Sequence, residues 1–171
     1  FKQKTAYEIP KRDWSSDVCS SDLMTEQSGP RELVGYAVAA EEAGFDFEVS
    51  SDHFSPWLTE QGHAPHAWTM LGAVAHATSR VDLMTYVTCP TLRYHPAVVA
   101  QQSATLQLLA EGRFTLGLGS GENLNEHVVG AGWPAIAERQ DMLAEAIEVI
   151  RALHTGELDR KSTRLNSSHV S

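Results

Sequence analysis

Apolar and polar positions repeat along the chain with two periods, about 3.6 and about 2 residues, and the switches between them mark the elements. Pro30 to Ala43 has the helical period, with Leu33, Tyr36, Ala37 and Ala40 on one face. Pro30 suits a first helical turn and Gly44 a left-handed stop. Phe45 to Ser50 sets Phe45, Phe47 and Val49 against Asp46, Glu48 and Ser50, which predicts a strand. Trp57 to Pro65 reads as loop, and Ala67 to Ser79 as a helix with Trp68, Leu71, Ala75 and Thr78 on one stripe. Val81 to Val87 is the next strand, closed by Thr88-Cys89-Pro90-Thr91. Pro96 opens a helix that runs to Ala110 with Val99, Leu106 and Leu109 as its apolar positions, and Gly112 lies just beyond it. Phe114 to Gly119 predicts a third strand, and Gly121 to Pro134 a long irregular connection. Glu138 to Thr155 is a helix with Leu143, Ile147, Ile150 and Leu153 in register and Gly156 as terminator.

The predicted order is helix, strand, helix, strand, helix, strand, helix. Strand starts at Phe45, Val81 and Phe114 lie 36 and 33 residues apart. That beat belongs to repeated βα units on a parallel sheet, either a (β/α)₈ barrel or a doubly wound sheet. The residues able to do chemistry favour the barrel, because they follow every strand. Asp52 and His53 come after the first, Cys89 after the second, and Ser120 to Asn125 after the third. Barrel strands converge on one mouth, whereas a doubly wound sheet concentrates its site at one crossover.

Composition narrows the class. The 171 residues are 42% hydrophobic, enough for a core, and the net charge of −9 disfavours nucleic acid or an anionic membrane surface as partner. No apolar run is long enough to span a bilayer, and the first residues lack a signal peptide's basic-then-apolar layout. Two cysteines, Cys19 and Cys89, make no disulfide framework. A cytoplasmic enzyme, or part of one, is the expectation.

The two ends differ from the middle. All four lysines lie in the terminal segments, while Met24 to Leu158 carries six arginines and no lysine against 17 acids. Asp17 to Leu23 can be back-translated to a string whose reverse complement encodes Asp159-Arg160-Lys161-Ser162. Extending the operation through Asp13-Trp14-Ser15-Ser16 yields Thr163 to His169. The string resembles a sequencing-library adapter, and Lys2 to Ile9 its outer primer. Residues 1–23 and 159–171 are therefore expected to be foreign sequence, leaving 24–158 as part of a barrel domain. Ordinary codons at those places in the source read would contradict this.

Ser51-Asp52-His53-Phe54-Ser55-Pro56-Trp57 sets an acid, an imidazole and an indole at a strand end. Histidine can act as acid or base near neutral pH, so the stretch suits proton and hydride chemistry. Asp52 also fits a plain cap and Trp57 a plain core residue. Gly117-Leu118-Gly119-Ser120-Gly121 lets backbone approach a flat ligand or an anion, but its G-x-G-x-G spacing is not that of a dinucleotide site. Glu122 fits either a proton donor or acceptor or a first-turn helix acid. His53, His63 and His66 with Asp52 would allow a metal-dependent barrel hydrolase, yet their spacing matches no zinc pattern, so no metal is expected. Cys89 has no base nearby in sequence and reads as a structural thiol. Arg93, Tyr94 and His95 either contact an anion or simply lead into the helix.

Together, Ser51 to Trp57, Gly62-His63-Ala64-Pro65, Thr88 to Thr91, His95 to Gln101, Gly112-Arg113-Phe114 and Gly119 to Glu126 resemble one family. It is the deazaflavin (coenzyme F420)-dependent branch of the luciferase-like monooxygenase class, near the F420-dependent glucose-6-phosphate dehydrogenases. The resemblance runs in order from about Pro30 to Gly156 and implies a partial (β/α)₈ barrel holding the second to fourth strands, without the first. It implies that His53 draws a proton from a substrate alcohol, Trp57 stabilises the resulting charge, and Glu122 exchanges a proton at N1 of the deazaflavin. Asp52, Cys89, Ser120 and Asn125 would hold the ring system, with a bulged Tyr86-Val87 bond behind it. Coenzyme F420 is the implied cofactor, with FMN the alternative for a flavin-dependent monooxygenase. A small-molecule substrate, such as a sugar phosphate, and a second copy in a homodimer are the implied partners. Departures fall at Cys89, a threonine in the sugar-phosphate enzymes, at Tyr86, usually smaller, and at the polar Glu48 and Ser50. A non-catalytic barrel-like binding module is the contrasting possibility.

Overall fold

The computed structural model describes residues 19–156. Most of the two segments read as foreign, 1–18 and 159–171, lies outside the described residues. Four strands form one parallel sheet in chain order: β1 (Ser20–Leu23), β2 (Phe47–Ser50), β3 (Asp82–Thr85) and β4 (Phe114–Thr115). Helices α1 (Pro30–Ala43), α2 (Ala67–Ala77) and α3 (Pro96–Leu109) connect them. The four-residue α4 (Asn123–Glu126) and the long α5 (Ile136–Thr155) follow β4. Among the described residues no helix is long and apolar enough to cross a membrane.

The helices begin and end as their sequences dictate. Pro30 opens α1, the Glu32 carboxylate accepts from the Gly29 amide at 3.0 Å, and Gly44 closes the helix at φ 92°. The α2–β3 turn is clamped from both sides. Glu41 accepts from the amides of Ser79, Arg80 and Val81, at 3.0, 2.6 and 2.9 Å at its Oε2. Arg113 donates to the carbonyls of Ala75, Thr78 and Val81, at 3.2, 3.0 and 2.6 Å, and so satisfies acceptors that the end of α2 leaves open.

The core lies between sheet and helices. Leu23 and Leu83 from the strands pack with Leu33 and Ala37 of α1, Leu71 and Val74 of α2 and Val99 of α3. Each larger aliphatic side chain buried there stabilises the fold by about 1.5–3 kcal/mol. Register puts Glu48 beside Leu83 and Ser50 beside Thr85, so the polar side of β2 faces the helices. Glu48 and Ser50 are fully buried, while Phe47 and Val49 are half-buried on the other, lumenal side.

Several expectations need correction. A first strand is present: Ser20–Leu23 pairs with β2, because parallel pairing uses backbone groups and one buried leucine suffices to anchor it. Phe45 precedes β2 and is exposed, as are Tyr36 on α1 and Leu109 on α3, where no neighbouring element among the described residues covers them. β3 stops at Thr85 and β4 at Thr115, two to four residues early, leaving one further bridge between Thr88 and Leu118. The Tyr86-Val87 peptide just beyond β3 is cis.

Candidate functional site

The segments leaving β1, β2 and β4 meet at the C-terminal end of the sheet. His53, three residues beyond β2, has its Nδ1 on the Glu26 carboxylate from the segment after β1. Glu26 also accepts from Ser51 Oγ at 2.9 Å, and Thr25 Oγ1 lies 2.9 Å from that hydroxyl. Burial alone would raise the Glu26 carboxyl, but the hydrogen bonds from His53 and Ser51 outweigh it and hold its pKa near about 2. An ionised carboxylate only accepts, so Nδ1 carries the hydrogen and Nε2 of neutral His53 is the free lone pair. That Nε2 lies 3.6 Å from Oε1 of Glu122, the N-cap of α4. Trp57 meets the imidazole edge-on, ring centroids 5.1 Å apart at 79°.

Asn125 ties the two loops together. Its Oδ1 accepts from the amides of Phe54 and Ser55 at 2.8 and 3.1 Å, while Nδ2 donates to Glu122 Oε1 at 2.8 Å. The side chain is 2% exposed and fixes both the turn carrying His53 and the direction of Glu122.

Asp52 faces the protein. Its carboxylate accepts from Thr88 Oγ1 (2.7 Å), Trp68 Nε1 (3.2 Å), Tyr94 Oη (3.2 Å) and Arg93 (3.2 Å). Burial, followed by the Asp52 charge, pushes the Tyr94 phenol up, so Tyr94 stays a donor. The β3 and β4 ends form the other wall. Tyr86 and Val87 are exposed there, and a Cβ on Gly119 would lie 2.6 Å from Val87 Cγ2. Cys89 is a buried free thiol 3.2 Å from Thr91 Oγ1, its pKa raised chiefly by burial. Gly121, at φ 74°, packs so closely that a Cβ would meet Cys89 Sγ at 2.6 Å. Ser120 sits between these glycines, 3.4 Å from Gln140 Nε2.

The structure thus brings His53, Trp57, Glu122 and Asn125 together, with Val87, Cys89 and Ser120 along the adjoining wall. His66 goes elsewhere, to Thr69 Oγ1 (2.8 Å) and Tyr94 Oη (3.1 Å). Among the described residues no group of three histidine, cysteine or acidic side chains is arranged to hold a metal ion. Sequence reasoning missed Glu26. Its only signal is an acid three residues beyond a short strand, and that strand went unrecognised.

The pattern of the luciferase-like monooxygenase family matches residues 14–167, and the chain belongs to that family. It is 55% identical over 132 residues to the F420-dependent glucose-6-phosphate dehydrogenase of Beutenbergia cavernae, a match covering 77% of this chain and 39% of that protein. The enzyme of the same name from Amycolatopsis mediterranei is 54% identical over 133 residues, covering 77% and 40%. Among solved structures, an F420-dependent secondary alcohol dehydrogenase in complex with an F420-acetone adduct superposes with a TM-score of 0.77 at 40% identity, over 80% of this chain and 41% of that one. The chain therefore spans about two fifths of its relatives' length.

Proposed function

We propose that the full-length protein is a coenzyme F420-dependent oxidoreductase that takes a hydride from a small alcohol, a sugar phosphate or a simple secondary alcohol. The observation that carries this reading is the orientation of His53: Nδ1 is held by an ionised Glu26, which turns Nε2 toward Glu122 3.6 Å away. Relatives named for F420-dependent dehydrogenation, at 55% and 40% identity, support it.

The residues present fit a flat deazaflavin. Gly119 and Gly121 leave open backbone where a Cβ would collide with Val87 and Cys89, and Tyr86 and Val87 offer exposed apolar surface beside them. Val87, Cys89 and Ser120 would hold the ring on that wall, with Asn125 setting the loop opposite. Asp52, with its carboxylate committed to four donors, would act by fixing the backbone ahead of His53. A bound deazaflavin supplies hydride acceptance.

His53 Nε2 would accept the hydroxyl proton of the alcohol as its carbon loses the hydride, leaving a carbonyl product. The Glu26 carboxylate on Nδ1 then stabilises the imidazolium, and the Trp57 ring packs against it. Glu122 would hold the proton exchanged at N1 of the ring, its direction set by Asn125. The same reading makes the enzyme a cytoplasmic homodimer, which sedimentation of the full-length protein addresses.

The test is F420 reduction by the full-length protein with glucose 6-phosphate and with 2-propanol. His53→Ala should lower kcat by about 10²–10⁴-fold with F420 still bound. Glu26→Gln, which keeps the shape but not the charge behind the imidazole, should lower it by about 10-fold or more. A bound flavin absorbance band in place of the deazaflavin band, or full turnover by His53→Ala, would sink the proposal.

A further inference from the structure

Arg93 lies beyond β3, in a segment that contributes no group to the proton chemistry above, yet its side chain is nearly buried beneath the site. Its Nη2 donates to the backbone carbonyl of Asp52 at 2.5 Å and to the Asp52 carboxylate at 3.2 Å. Its backbone amide donates to Glu126 Oε2 at 2.9 Å, and its Nε is 3.5 Å from Glu126 Oε1. The Tyr94 ring lies 4.8 Å beneath the guanidinium. The Asp52 carbonyl belongs to the peptide unit that leads directly into His53. Glu126 is the last residue of α4, whose N-cap is Glu122.

From these contacts we infer that Arg93 is a positioning residue: it clasps the loop before His53 to the helix behind Glu122 and so sets the gap between the proposed base and the proposed proton carrier. The inference rests on the function proposed above. Asn125 alone makes a hinge between the two loops, since its contacts to Phe54, Ser55 and Glu122 converge on one amide group. Arg93 adds a second attachment on the far side of both loops, and two attachments fix a distance that one does not. Charge supports the same role. Asp52 and Glu126 are both buried, at 3% and 2% exposure, and the guanidinium is the cation between them. Burial raises the Glu126 carboxyl overall, and the Arg93 backbone amide, followed by the guanidinium charge, acts against that rise. Lysine keeps the charge and the backbone amide on Glu126, but has no planar fork to hold the Asp52 carbonyl and carboxylate while lying beside Glu126.

The experiment compares full-length wild type with Arg93→Lys and Arg93→Met, measuring kcat and KM for the alcohol, the melting temperature, and the nuclear magnetic resonance signals of the Asn125 side-chain amide. Misplacement of about 1 Å predicts a kcat loss of about 10²-fold in the folded Arg93→Lys enzyme, with KM changed about threefold or less. The Asn125 amide signals should shift in the same variant, because its partner Glu122 moves. A purely structural role would lower the melting temperature and leave kcat per folded molecule and the Asn125 signals as in wild type, and that result overturns the inference. Should Arg93→Met fail to fold, Arg93→Lys decides. Should the wild type not turn over F420 at all, the proposed function fails, and the Asn125 signals alone judge the clasp: a shift supports it and unchanged signals overturn it.

Discussion

Glu48 shows how far one side chain can work against its own fold. It lies in the middle of β2 on the helix-facing side, fully buried, and neither carboxylate oxygen has a hydrogen-bond partner among the described residues. Ser21, opposite it on β1, is near enough to lower its pKa but not in bonding geometry, and burial with the Asp22 charge raises the group to about 7. A raised carboxyl favours the neutral form in the folded state. No penalty exists below the ordinary value of 4.5, it grows between 4.5 and about 7, and it is complete above that. The span corresponds to about 3 kcal/mol. Glu26 has the opposite sign, stabilising above its ordinary value and losing that contribution as pH falls toward about 2. Glu48→Leu in the full-length protein should therefore gain stability over wild type by about 3 kcal/mol more at pH 8 than at pH 4.5, read from denaturant melts at both values. A pH-independent difference would show that the carboxyl is not neutralised in the fold. Sequence makes His53, Trp57 and Glu122 visible because each sits in a chemically dense stretch at a predicted strand end. It hides the work of Glu26, Asn125 and Arg93, since their roles come from partners 27, 71 and 41 residues away.

At the level of elements, helices were easier to read than strands. Proline and glycine bracket α1 and α3, and their spacing fixes both ends to within a residue or so. Strands of two to four residues carry too little alternation to set their limits, and β1 has one buried apolar residue, Leu23, in a segment whose composition set it apart. What continues the sheet beyond β4 is tight backbone packing at Gly117. Its amide donates to Thr85 Oγ1 at 3.0 Å, and its carbonyl accepts from that same hydroxyl at 3.0 Å and from the Thr88 amide at 2.9 Å. A Cβ at this position would lie 2.1 Å from the Thr85 carbonyl oxygen, which is backbone and cannot swing away. Gly117→Ala should therefore cost about 3 kcal/mol or more, with loss of the paired Thr88 and Gly119 amides from slow hydrogen exchange. Wild-type protection in that variant would mean the backbone accommodates the methyl with the ladder still closed. At Gly121 an added Cβ would meet side chains instead, Cys89 Sγ at 2.6 Å and Glu126 Cγ at 3.1 Å. The φ of 74° strains any side chain there as well, so Gly121→Ala too should lose stability.

For the whole molecule, the decisive fact is that a sheet built to close on itself remains open. β1 and β4 each have one partner, so each presents a free edge among the described residues. On the lumenal side Phe47 and Val49 are only half-buried, and outside, Leu108 and Ile136 are each 70% exposed. Relatives run to more than twice the matched length, which leaves room for the βα units that would cover these surfaces. Repeat spacing and the clustering of chemical residues after strands make the barrel legible in sequence, because both are periodic. Where the missing contacts fall is not legible, because they are defined by units the periodicity only implies. Open edges and uncovered helix faces favour association over folding. The 171-residue chain alone should therefore elute as a broad aggregate, melt without a cooperative transition and leave F420 fluorescence unchanged. A protein carrying the later βα units should give one sharp melt and bind the cofactor. The reason is that His53 and Glu122 already face each other here, so what the short chain lacks is the opposite half of the cavity and not the acid–base pair proposed above. A cooperative melt with F420 binding by the short chain would place both the stability and the cofactor site within these four strands.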